Sequence, residues 1–397
     1  MKKLFIDRGK DKFRTAVTED GKLVELYIDS ASDGSRVGHI ILGRLQTILP
    51  GQFAFVDIGA KKNAFVNLRD GHGLKAGQPV LVQVKKDAVT SKGVYVDTEI
   101  NLKGRLVILY ESSRGEAGVS RKITDPKESR RLKKLVRKHL PPGYGAILRT
   151  NAAGADADAI SAEIKALSDR HRIISEKAKY AKPPVLLYPE KEESSLLTDL
   201  ISEDIAEIRI SGDDDFFVSV KRNICNILPI LEPRIVRHTE ENMFSHYGLN
   251  RQTAAALNKI TNLPCGGFIT IEETEACVVI DVNTGSNVGK TSYRQVISET
   301  NLQAAAAIAS QIRLRNLSGI ILVDFIDMWE PEDNAALLDA FSTEIKKDRI
   351  PAEIIGMIGL GMVQLTRRKT RPPLSRLLEG TCPECGGKGR VRLPSDF

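Results

Sequence analysis

Two aspartates each end a short apolar run, and their types and spacing suit the binding of a cation. Residues 274–291 read TEACVVIDVNTGSNVGKT, and residues 320–328 read IILVDFIDM. The β-branched run ends at Asp281 in the first stretch and at Asp324 in the second. Two converging carboxylates repel each other unless they share a proton or a cation, and hard oxygen ligands suit Mg²⁺. The pair therefore predicts a magnesium site, to which Asn283 adds a neutral carbonyl.

The sequence between these runs predicts a helix joining two parallel strands. Residues 292–317 carry apolar side chains at helical spacing and contain no Pro or Gly. Such a crossover normally joins parallel neighbours, so both aspartates are expected at the carboxyl ends of strands on one sheet edge. Ligands of open α/β sheets bind there. The other interpretation is that each aspartate only caps the end of its strand. This is credible for one aspartate and poor for the pair. Asp327 is either a further ligand or a cap.

Composition indicates an ordinary globular protein of two to four domains. The chain has 397 residues, of which 42% are hydrophobic and 27% charged. Its net charge of +7 fits a polyanionic partner. No 18-residue apolar span and no signal peptide occur, so we expect a cytoplasmic protein without a membrane span. The odd count of five cysteines argues against a disulfide framework.

A run of five short strands over residues 37–107 predicts a small barrel of the OB type. Phe55 and Phe65 lie on strands that flank a turn with two lysines, and Lys92 comes later. Aromatic rings that stack bases, together with lysines that follow phosphates, bind single strands without strict sequence specificity. Each Phe alone could equally belong to the barrel core. The combination favours RNA or single-stranded DNA.

A second candidate phosphate site follows the strand predicted for residues 144–150. Arg149 and Thr150 end this strand just before a helix that starts near Asp156, and a guanidinium beside a helix start suits a phosphate. Taken alone, an Arg-Thr pair is common and means little. The basic helix predicted for residues 127–139 has the charge pattern of a solvated face.

The C-terminal region contains half of a zinc site. Cys382 and Cys385 form a C-x-x-C motif followed by glycines, which allows two thiolates to face one metal. A tetrahedral Zn²⁺ could be completed by the same pair from a second copy of the chain. A redox dithiol and a pair of reduced thiols are the alternatives.

Residues 285–291, GSNVGKT, resemble a phosphate-binding loop of nucleoside triphosphatases, and residues 320–324 resemble the strand and Asp of a Walker B element. However, three residues separate the glycines where the motif needs four. Asp281, four positions before the first glycine, would also place a negative charge near the phosphates. A nucleoside triphosphatase therefore remains the less favoured interpretation.

Longer motifs occur in a fixed order along the chain: FVDIGAKKNAFV, VSRK, ILRT, FSHY, LPCGGFITIEETEACVVIDVNTG, TNLQAAAAIASQIRLRNLSGIILVDFIDM and CPECGGKG. In this order they resemble the catalytic region of the ribonuclease E/G family, endoribonucleases that cut single-stranded RNA. The resemblance covers essentially the whole chain. It implies a Mg²⁺-dependent hydrolase that leaves 5′-phosphate and 3′-hydroxyl ends during the processing or decay of RNA, including ribosomal RNA.

The resemblance also implies roles for single residues. Asp281 and Asp324 match the family's Mg²⁺-binding carboxylates, and Asn283 matches the Asn that supports them. The implied binding residues fall into three groups, which are the barrel residues that hold RNA (Phe55, Phe65 and Lys92), the pocket that senses a 5′-monophosphate (Arg149 and Thr150, with backbone contacts from Gly104 and Ile108) and the zinc link between subunits (Cys382 and Cys385).

The implied fold is a multidomain α/β and α+β chain. An RNase H-like subdomain is interrupted by the OB-fold barrel and the 5′-sensor, and a DNase I-like catalytic subdomain and a zinc-link follow. The expected boundaries are 1–35 plus 193–256 for the RNase H-like subdomain, 36–104 for the barrel, 105–192 for the sensor, 257–375 for the catalytic subdomain and 376–397 for the zinc-link.

Two departures from the family pattern affect these expectations. The family places a further Arg of the 5′-sensor where this chain has Pro351, which leaves the strength of end sensing open. The chain ends at Phe397 without the small domain through which larger relatives form tetramers, so we expect a homodimer sharing zinc. The alternative to an enzyme is a non-catalytic RNA-binding or ribosome-assembly factor, although such a protein would gain nothing from apposed carboxylates near a polyanion.

Overall fold

The chain alternates short strands with helices. The computed structural model describes residues 1–9, 12–30, 36–49, 53–68, 73–87, 93–189, 192–286, 292–358, 361–387 and 389. The strands are β1 (Lys2–Arg8), β2 (Lys12–Glu19), β3 (Lys22–Ser30), β4 (Ile40–Leu49), β5 (Phe53–Asp57), β6 (Ala64–Asn67), β7 (Pro79–Lys86), β8 (Tyr95–Asp97), β9 (Asn101–Lys103), β10 (Val107–Glu111), β11 (Ala117–Val119), β12 (Tyr144–Leu148), β13 (Val185–Tyr188), β14 (Ile205–Ser211), β15 (Ile235–Arg237), β16 (Ile260–Asn262), β17 (Phe268–Glu273), β18 (Cys277–Asn283), β19 (Gly319–Asp324), β20 (Ala352–Met357) and β21 (Met362–Arg367).

The helices are α1 (Pro126–His139), α2 (Ala157–Tyr180), α3 (Glu192–Leu200), α4 (Asp214–Ile227), α5 (Met243–His246), α6 (Leu249–Ala255), α7 (Tyr293–Arg315), α8 (Pro331–Ile345) and α9 (Leu374–Leu378), with two 3₁₀ turns at Thr150–Ala152 and Pro229–Arg234. Within the described ranges, every helix is too short or too polar to cross a membrane. The chain divides into two compact units. The first contains residues 1–30, 205–217 and 234–397, and the second contains residues 31–204 and 218–233.

The first unit has a five-stranded sheet built from both ends of its sequence. The order is β15-β14-β1-β2-β3, in which β1 to β3 are antiparallel and β14 runs parallel to both β1 and β15. Asp20 and Gly21 make the turn between β2 and β3 with positive φ. Phe5, Leu26 and Phe244 of α5 contribute to a common core on this sheet.

The second sheet of the first unit has the order β16-β17-β18-β19-β21-β20. The strands β18 and β19 are parallel and α7 connects them, which confirms the strand–helix–strand prediction. A capping box between Ser292 and Gln295 begins α7, and Asn316 ends it in the left-handed conformation. Ile280, Val323 and residues of α7 and α8 share one hydrophobic core.

The second unit contains a closed barrel of five strands. β4, β5, β6, β8 and β7 pair in this order, and β4 also pairs with β7, which closes the cylinder. Its interior is filled by alternate residues such as Leu45, Val56 and Val82. The strand count and closure are compatible with an OB-like domain. β13 pairs with β4 outside the five-stranded cylinder.

The rest of the second unit is a four-stranded sheet, β11-β12-β10-β9, with a shared core that includes residues of α1 and α2. Asp125 caps α1 by accepting from the backbone of Lys127 at 2.8 Å, and Pro126 occupies the first helical position. Only Leu132 and Val136 of α1 are buried. The basic side chains of α1 thus lie on its solvated side, as the charge pattern predicts.

Candidate active site

Strand alternation places the carboxylates on the face of the sheet opposite its core. In β18, Ile280 and Val282 are buried while Asp281 between them is exposed. In β19, Val323 is buried and Asp324 is exposed. Asp281 and Asp324 are register partners across the parallel pair. The two aspartates predicted to converge are therefore direct neighbours.

Asn283 holds one of these carboxylates. Its Nδ2 donates to Oδ2 of Asp281 at 2.7 Å, and both side chains point to the same side of β18 because they are two residues apart. The amide fixes the orientation of Asp281 and leaves its other oxygen available to a cation. The structure thus brings together all three residues predicted for catalysis.

The acidic pair carries an excess of negative charge. Partial burial raises the pKa of the Asp324 carboxyl, and the charges of Asp281 and Asp327 raise it further. Asp327 belongs to this electrostatic environment, but it also faces Gly361, where a Cβ would lie 2.8 Å from its Oδ1. A site whose carboxylates disfavour each other's ionised form is one that a divalent cation would stabilise.

The donor set fits Mg²⁺ and does not form an all-protein metal cage. Within the described ranges, no group of three or more His, Cys, Asp or Glu side chains is placed to hold a metal ion. Mg²⁺ usually takes one or two carboxylates together with waters and substrate phosphates. Asp281 and Asp324 match that pattern, with Asn283 supporting the first of them.

The segment after Asp324 has a fixed backbone. Asn301 of α7 is completely buried, and its side chain donates to the Ile326 carbonyl at 2.8 Å and accepts from the Ile326 amide at 3.1 Å. The Nδ2 of Asn334 donates to the Met328 carbonyl at 3.0 Å. The chain leaving β19 is therefore held by side chains from α7, which precedes β19, and from α8, which follows it.

The barrel carries a row of aromatic rings on its outer face. Phe55 and Phe65 are cross-strand partners with ring centroids 6.1 Å apart, and both are half-buried. Phe53 stacks on Phe65 at 5.3 Å, and Tyr95 lies 6.1 Å from Phe65 on the other side. The sequence analysis missed Phe53 and Tyr95, although strict alternation within β5 would have placed Phe53 beside Phe55.

Two lysines lie in the turn between β5 and β6, where both Lys61 and Lys62 are exposed. The third lysine of the sequence prediction, Lys92, lies outside the described residues. The same is true of residues 287–291, which contain most of the sequence that resembles a phosphate-binding loop.

The four residues predicted to bind a 5′-phosphate all lie in the second unit. Nη1 of Arg149 donates to the carbonyl of Gly104 at 2.7 Å, and the Arg149 amide donates to the Leu106 carbonyl at 2.7 Å. Thr150 shares a hydrogen bond with Ser120 at 3.1 Å. Ile108 lies on β10, paired with Ile147 of β12, the strand that ends just before Arg149.

Asp199 is the residue of this pocket that the sequence did not reveal. Its carboxylate forms ion pairs with both Arg149 and Lys103. Glu163 lies behind Gly104, where a Cβ would come within 2.6 Å of the Glu163 carboxyl group. Because Asp199 is 50 residues from Arg149 in sequence, no local motif could have predicted the pairing.

None of the five cysteines forms a disulfide within the described part of the chain. Cys382 is exposed, and the Sγ of Cys385 accepts from the amide of Gly389 at 3.2 Å. Two thiols supply half of a tetrahedral zinc site.

Comparison with known proteins identifies the family of the chain. The chain belongs to the Ribonuclease E/G family, whose family model matches residues 101–370. It is similar to Ribonuclease G of Haemophilus influenzae, with 34% identity over 414 residues that cover 98% of this chain and 84% of that protein. Ribonuclease G of Escherichia coli is 30% identical with the same coverage. Ribonuclease E of Nostoc is 33% identical over 96% of this chain and 58% of that protein.

Proposed function

We propose that this endoribonuclease hydrolyses single-stranded RNA in a Mg²⁺-dependent reaction that leaves 5′-phosphate and 3′-hydroxyl ends, in RNA processing or decay. The observation that carries the proposal is the register pairing of Asp281 with Asp324 on adjacent parallel strands. Two exposed carboxylates side by side would weaken the binding of a polyanion unless a cation lies between them and the RNA.

Asp281 and Asp324 would hold the Mg²⁺, and Asn283 keeps Asp281 oriented through its hydrogen bond. Bound Mg²⁺ supplies Lewis acidity, which neutralises charge on the scissile phosphate and lowers the pKa of an attacking water. The hydrogen bonds of Asn301 to Ile326 hold the backbone after Asp324 in place. The carboxylates are thus pre-positioned before RNA arrives.

The second unit would supply binding energy away from the cleaved bond. Phe55 and Phe65 offer aromatic faces to bases, and Lys92 is proposed to bind the backbone beside them. Arg149 and Thr150, with Gly104 and Ile108, would bind a 5′-monophosphate end. Binding at remote sites raises the effective concentration of the RNA at the carboxylates.

We also propose the domain assignment implied by the family resemblance. Strands from residues 1–30 and 205–237 share one sheet, which supports the grouping of 1–35 with 193–256 as an RNase H-like subdomain. The barrel of β4 to β8 supports the OB-fold assignment of 36–104. The sensor (105–192), the DNase I-like subdomain (257–375) and a zinc-link (376–397), with Cys382 and Cys385 sharing Zn²⁺ in a homodimer, complete the proposal.

The test is cleavage of a 5′-monophosphorylated, A/U-rich single-stranded RNA oligonucleotide by the wild type, Asp324→Asn and Asp339→Asn. Asp339 is an exposed carboxylate of α8, so its substitution removes the same charge without touching the acidic pair. We expect Mg²⁺-dependent cutting by the wild type and the Asp339 variant, and at least a 100-fold loss in the Asp324 variant. Products should carry 5′-phosphates.

The opposite result would distinguish a non-catalytic RNA-binding factor from an endoribonuclease. If all three proteins bind the oligonucleotide tightly but leave it intact with Mg²⁺ present, the chain is an RNA-binding factor and the catalytic proposal is wrong. ATP is omitted throughout, so that cleavage also argues against the nucleoside triphosphatase.

A further inference from the structure

Two exposed aromatic rings lie beyond the carboxylate strand. Trp329 is the single tryptophan of the chain, and its side chain is 78% exposed. Tyr293, the first residue of α7, is 65% exposed, and the two ring centroids are 6.4 Å apart at an interplanar angle of 38°. Tryptophan is highly buried on average in folded proteins. Packing of this fold therefore does not account for the exposed indole.

A hydrogen bond and an ion pair hold the backbone that carries the two rings. Met328 is held by Asn334 at 3.0 Å. Arg294, next to Tyr293, forms a two-pronged ion pair with Asp333 of α8, at 2.7 Å and 3.1 Å. This pair joins the start of α7 to the start of α8, close to both rings. The exposure of Trp329 is thus a property of an ordered surface rather than of a frayed end.

The ring pair lies near the acidic pair. Trp329 lies five positions after Asp324 in the sequence, so their backbones are at most about 18 Å apart even if that segment were fully extended. This distance corresponds to only a few nucleotides, since successive phosphates along one strand of a duplex are about 3.4 Å apart along the helix axis. A strand whose phosphate lies at Asp324 can therefore bring a base within a few nucleotides of that phosphate into range of the indole.

We propose that Trp329, supported by Tyr293, is a stacking platform for a nucleobase within a few nucleotides of the bond that is cut. The proposal rests on the proposed function, because the base belongs to the RNA bound at the acidic pair. The rings form a tilted pair, and the large exposure of the indole leaves surface for a third ring. Stacking tolerates any base because every base has a π-face. The platform holds the strand near the scissile phosphate and adds no charge.

The first test uses the intrinsic fluorescence of Trp329, which reports on this ring alone. In the full chain carrying Asp324→Asn, a 5′-monophosphorylated single-stranded RNA is titrated while binding is followed by anisotropy of an end-labelled oligonucleotide in parallel samples. We expect tryptophan emission to be quenched along the same binding curve. Oligonucleotides with one abasic position, scanned along the strand, should lose the quenching when the gap meets the platform.

Three results of this titration would overturn the stacking platform. Unchanged emission despite RNA binding overturns the platform and leaves the proposed function intact. Quenching that no abasic position removes overturns it as well, because the change would then not come from a stacked base. Absence of RNA binding overturns both the platform and the proposed function.

The second test measures kcat/KM for Trp329→Ala, Trp329→Phe and Ile230→Ala in the otherwise wild-type chain. Loss of one stacked base predicts about a 5- to 150-fold decrease for the Ala variant, with most of the rate restored by Phe. Ile230 is an exposed apolar residue of the second unit, and its variant should cleave like the wild type. Thermal midpoints should be unchanged. Equal rates for the Trp329→Ala variant and the wild type, or equal losses for Ala and Phe, would contradict the proposal.

Discussion

The guanidinium of Arg149 is paired with the carboxylate of Asp199 in the pocket proposed for a 5′-phosphate. Lys103 pairs with the other oxygen of the same carboxylate. One negative side chain thus engages two cations of the pocket, in the position where an anionic end group would compete for them. Arg149 also donates to the Gly104 carbonyl, so contacts within the second unit hold the pocket residues in place.

We predict that Asp199→Asn strengthens the preference for a 5′-monophosphate. Removing the competing carboxylate leaves Arg149 and Lys103 available to the phosphate. Because the pairs are partly exposed, the gain should be at most about 1 kcal/mol, or about fivefold in the ratio of cleavage rates for 5′-monophosphate and 5′-hydroxyl substrates. The measurement is that ratio on two otherwise identical oligonucleotides.

The control is Asp169→Asn, which removes an exposed carboxylate of α2 that is paired with Arg172. This substitution changes the overall charge of the unit but leaves the pocket as it is. The ratio of cleavage rates for the two substrates should therefore stay unchanged. A fall of the ratio in Asp199→Asn would mean that Asp199 positions Arg149 for binding instead of competing with the phosphate.

Glu25 is predicted to be a main electrostatic support of the first unit. Burial alone raises the pKa of Glu25, but Arg349, Arg313 and a hydrogen bond from Tyr27 outweigh it and lower the pKa to about 2. Because this value lies below that of an unfolded Glu, about 4.3, the stabilisation is present above that pH and is lost as the pH falls toward 2. We expect Glu25→Gln to cost about 3–5 kcal/mol at neutral pH.

The comparison for that variant is Glu19→Gln. Glu19 also pairs with Arg313, at 3.1 Å, but its side chain is 45% exposed, so its loss should cost less than about 1 kcal/mol. Denaturant unfolding at pH 7 and at acid pH measures both variants. Equal stabilities for the two at pH 7 would show that the buried contact contributes no more than the exposed one.

The sequence was sufficient for the acidic pair and insufficient for the sensor pocket, for a physical reason. Asp281 and Asp324 each follow a short, continuous apolar run, and a single helical crossover requires their strands to be parallel. Local patterns therefore determine their meeting. The contact of Asp199 with Arg149 depends on how α3 packs in the folded unit, and no periodicity within either segment encodes it.

Long-range ion pairs escaped the sequence analysis for the same reason. Glu25 and Arg313 are 288 residues apart and meet only because β3 and α7 pack in one unit. Phe53 is the opposite case, because the alternation of β5 already predicts that it shares a face with Phe55. It was missed although the pattern was present.

The aromatic row of the barrel should contribute to RNA affinity without contributing to its salt dependence. Phe55→Ala and Phe53→Ala remove stacking surface, so we expect about a 5- to 150-fold weaker Kd for each ring that stacks a base. The slope of log Kd against log salt should not change, because no charge is removed. Binding is measured by anisotropy at several salt concentrations.

Lys61→Ala provides the contrast within the same barrel. Lys61 is exposed in the turn between β5 and β6, and loss of one phosphate contact should reduce the magnitude of that slope by about 0.7. A changed slope in the Phe variants, or unchanged affinity in both of them, would argue against base stacking on this face.

Removal of zinc is predicted to separate the subunits. Two thiolates, Cys382 and Cys385, cannot complete a tetrahedral site, so four thiolates from two chains are expected to share one ion. The wild type should contain one zinc per two chains and should become monomeric with a chelator, and Cys382→Ser should be monomeric without zinc. Cys225→Ser should retain both zinc and the dimer. Metal analysis and sedimentation measure these properties. A dimer that survives zinc removal would leave the cysteines without this role.

The acidic pair should lower the stability of the metal-free protein. Asp324→Asn removes the repulsion from Asp281, which for exposed charges is on the order of 1 kcal/mol, or a few degrees in the thermal midpoint. Because its pKa is raised in the folded state, a protonated Asp324 favours folding, and this contribution is lost as the pH rises through the raised value. The thermal midpoint of the variant should therefore be higher than that of the wild type at pH 7 without Mg²⁺. This difference in midpoint should disappear below the ordinary carboxyl pKa of about 3.9.

Adding Mg²⁺ should raise the thermal midpoint of the wild type and leave that of the variant unchanged, because a ligand that binds only the folded state stabilises it. An unchanged wild-type midpoint at saturating Mg²⁺ would contradict the assignment of this pair as the metal site.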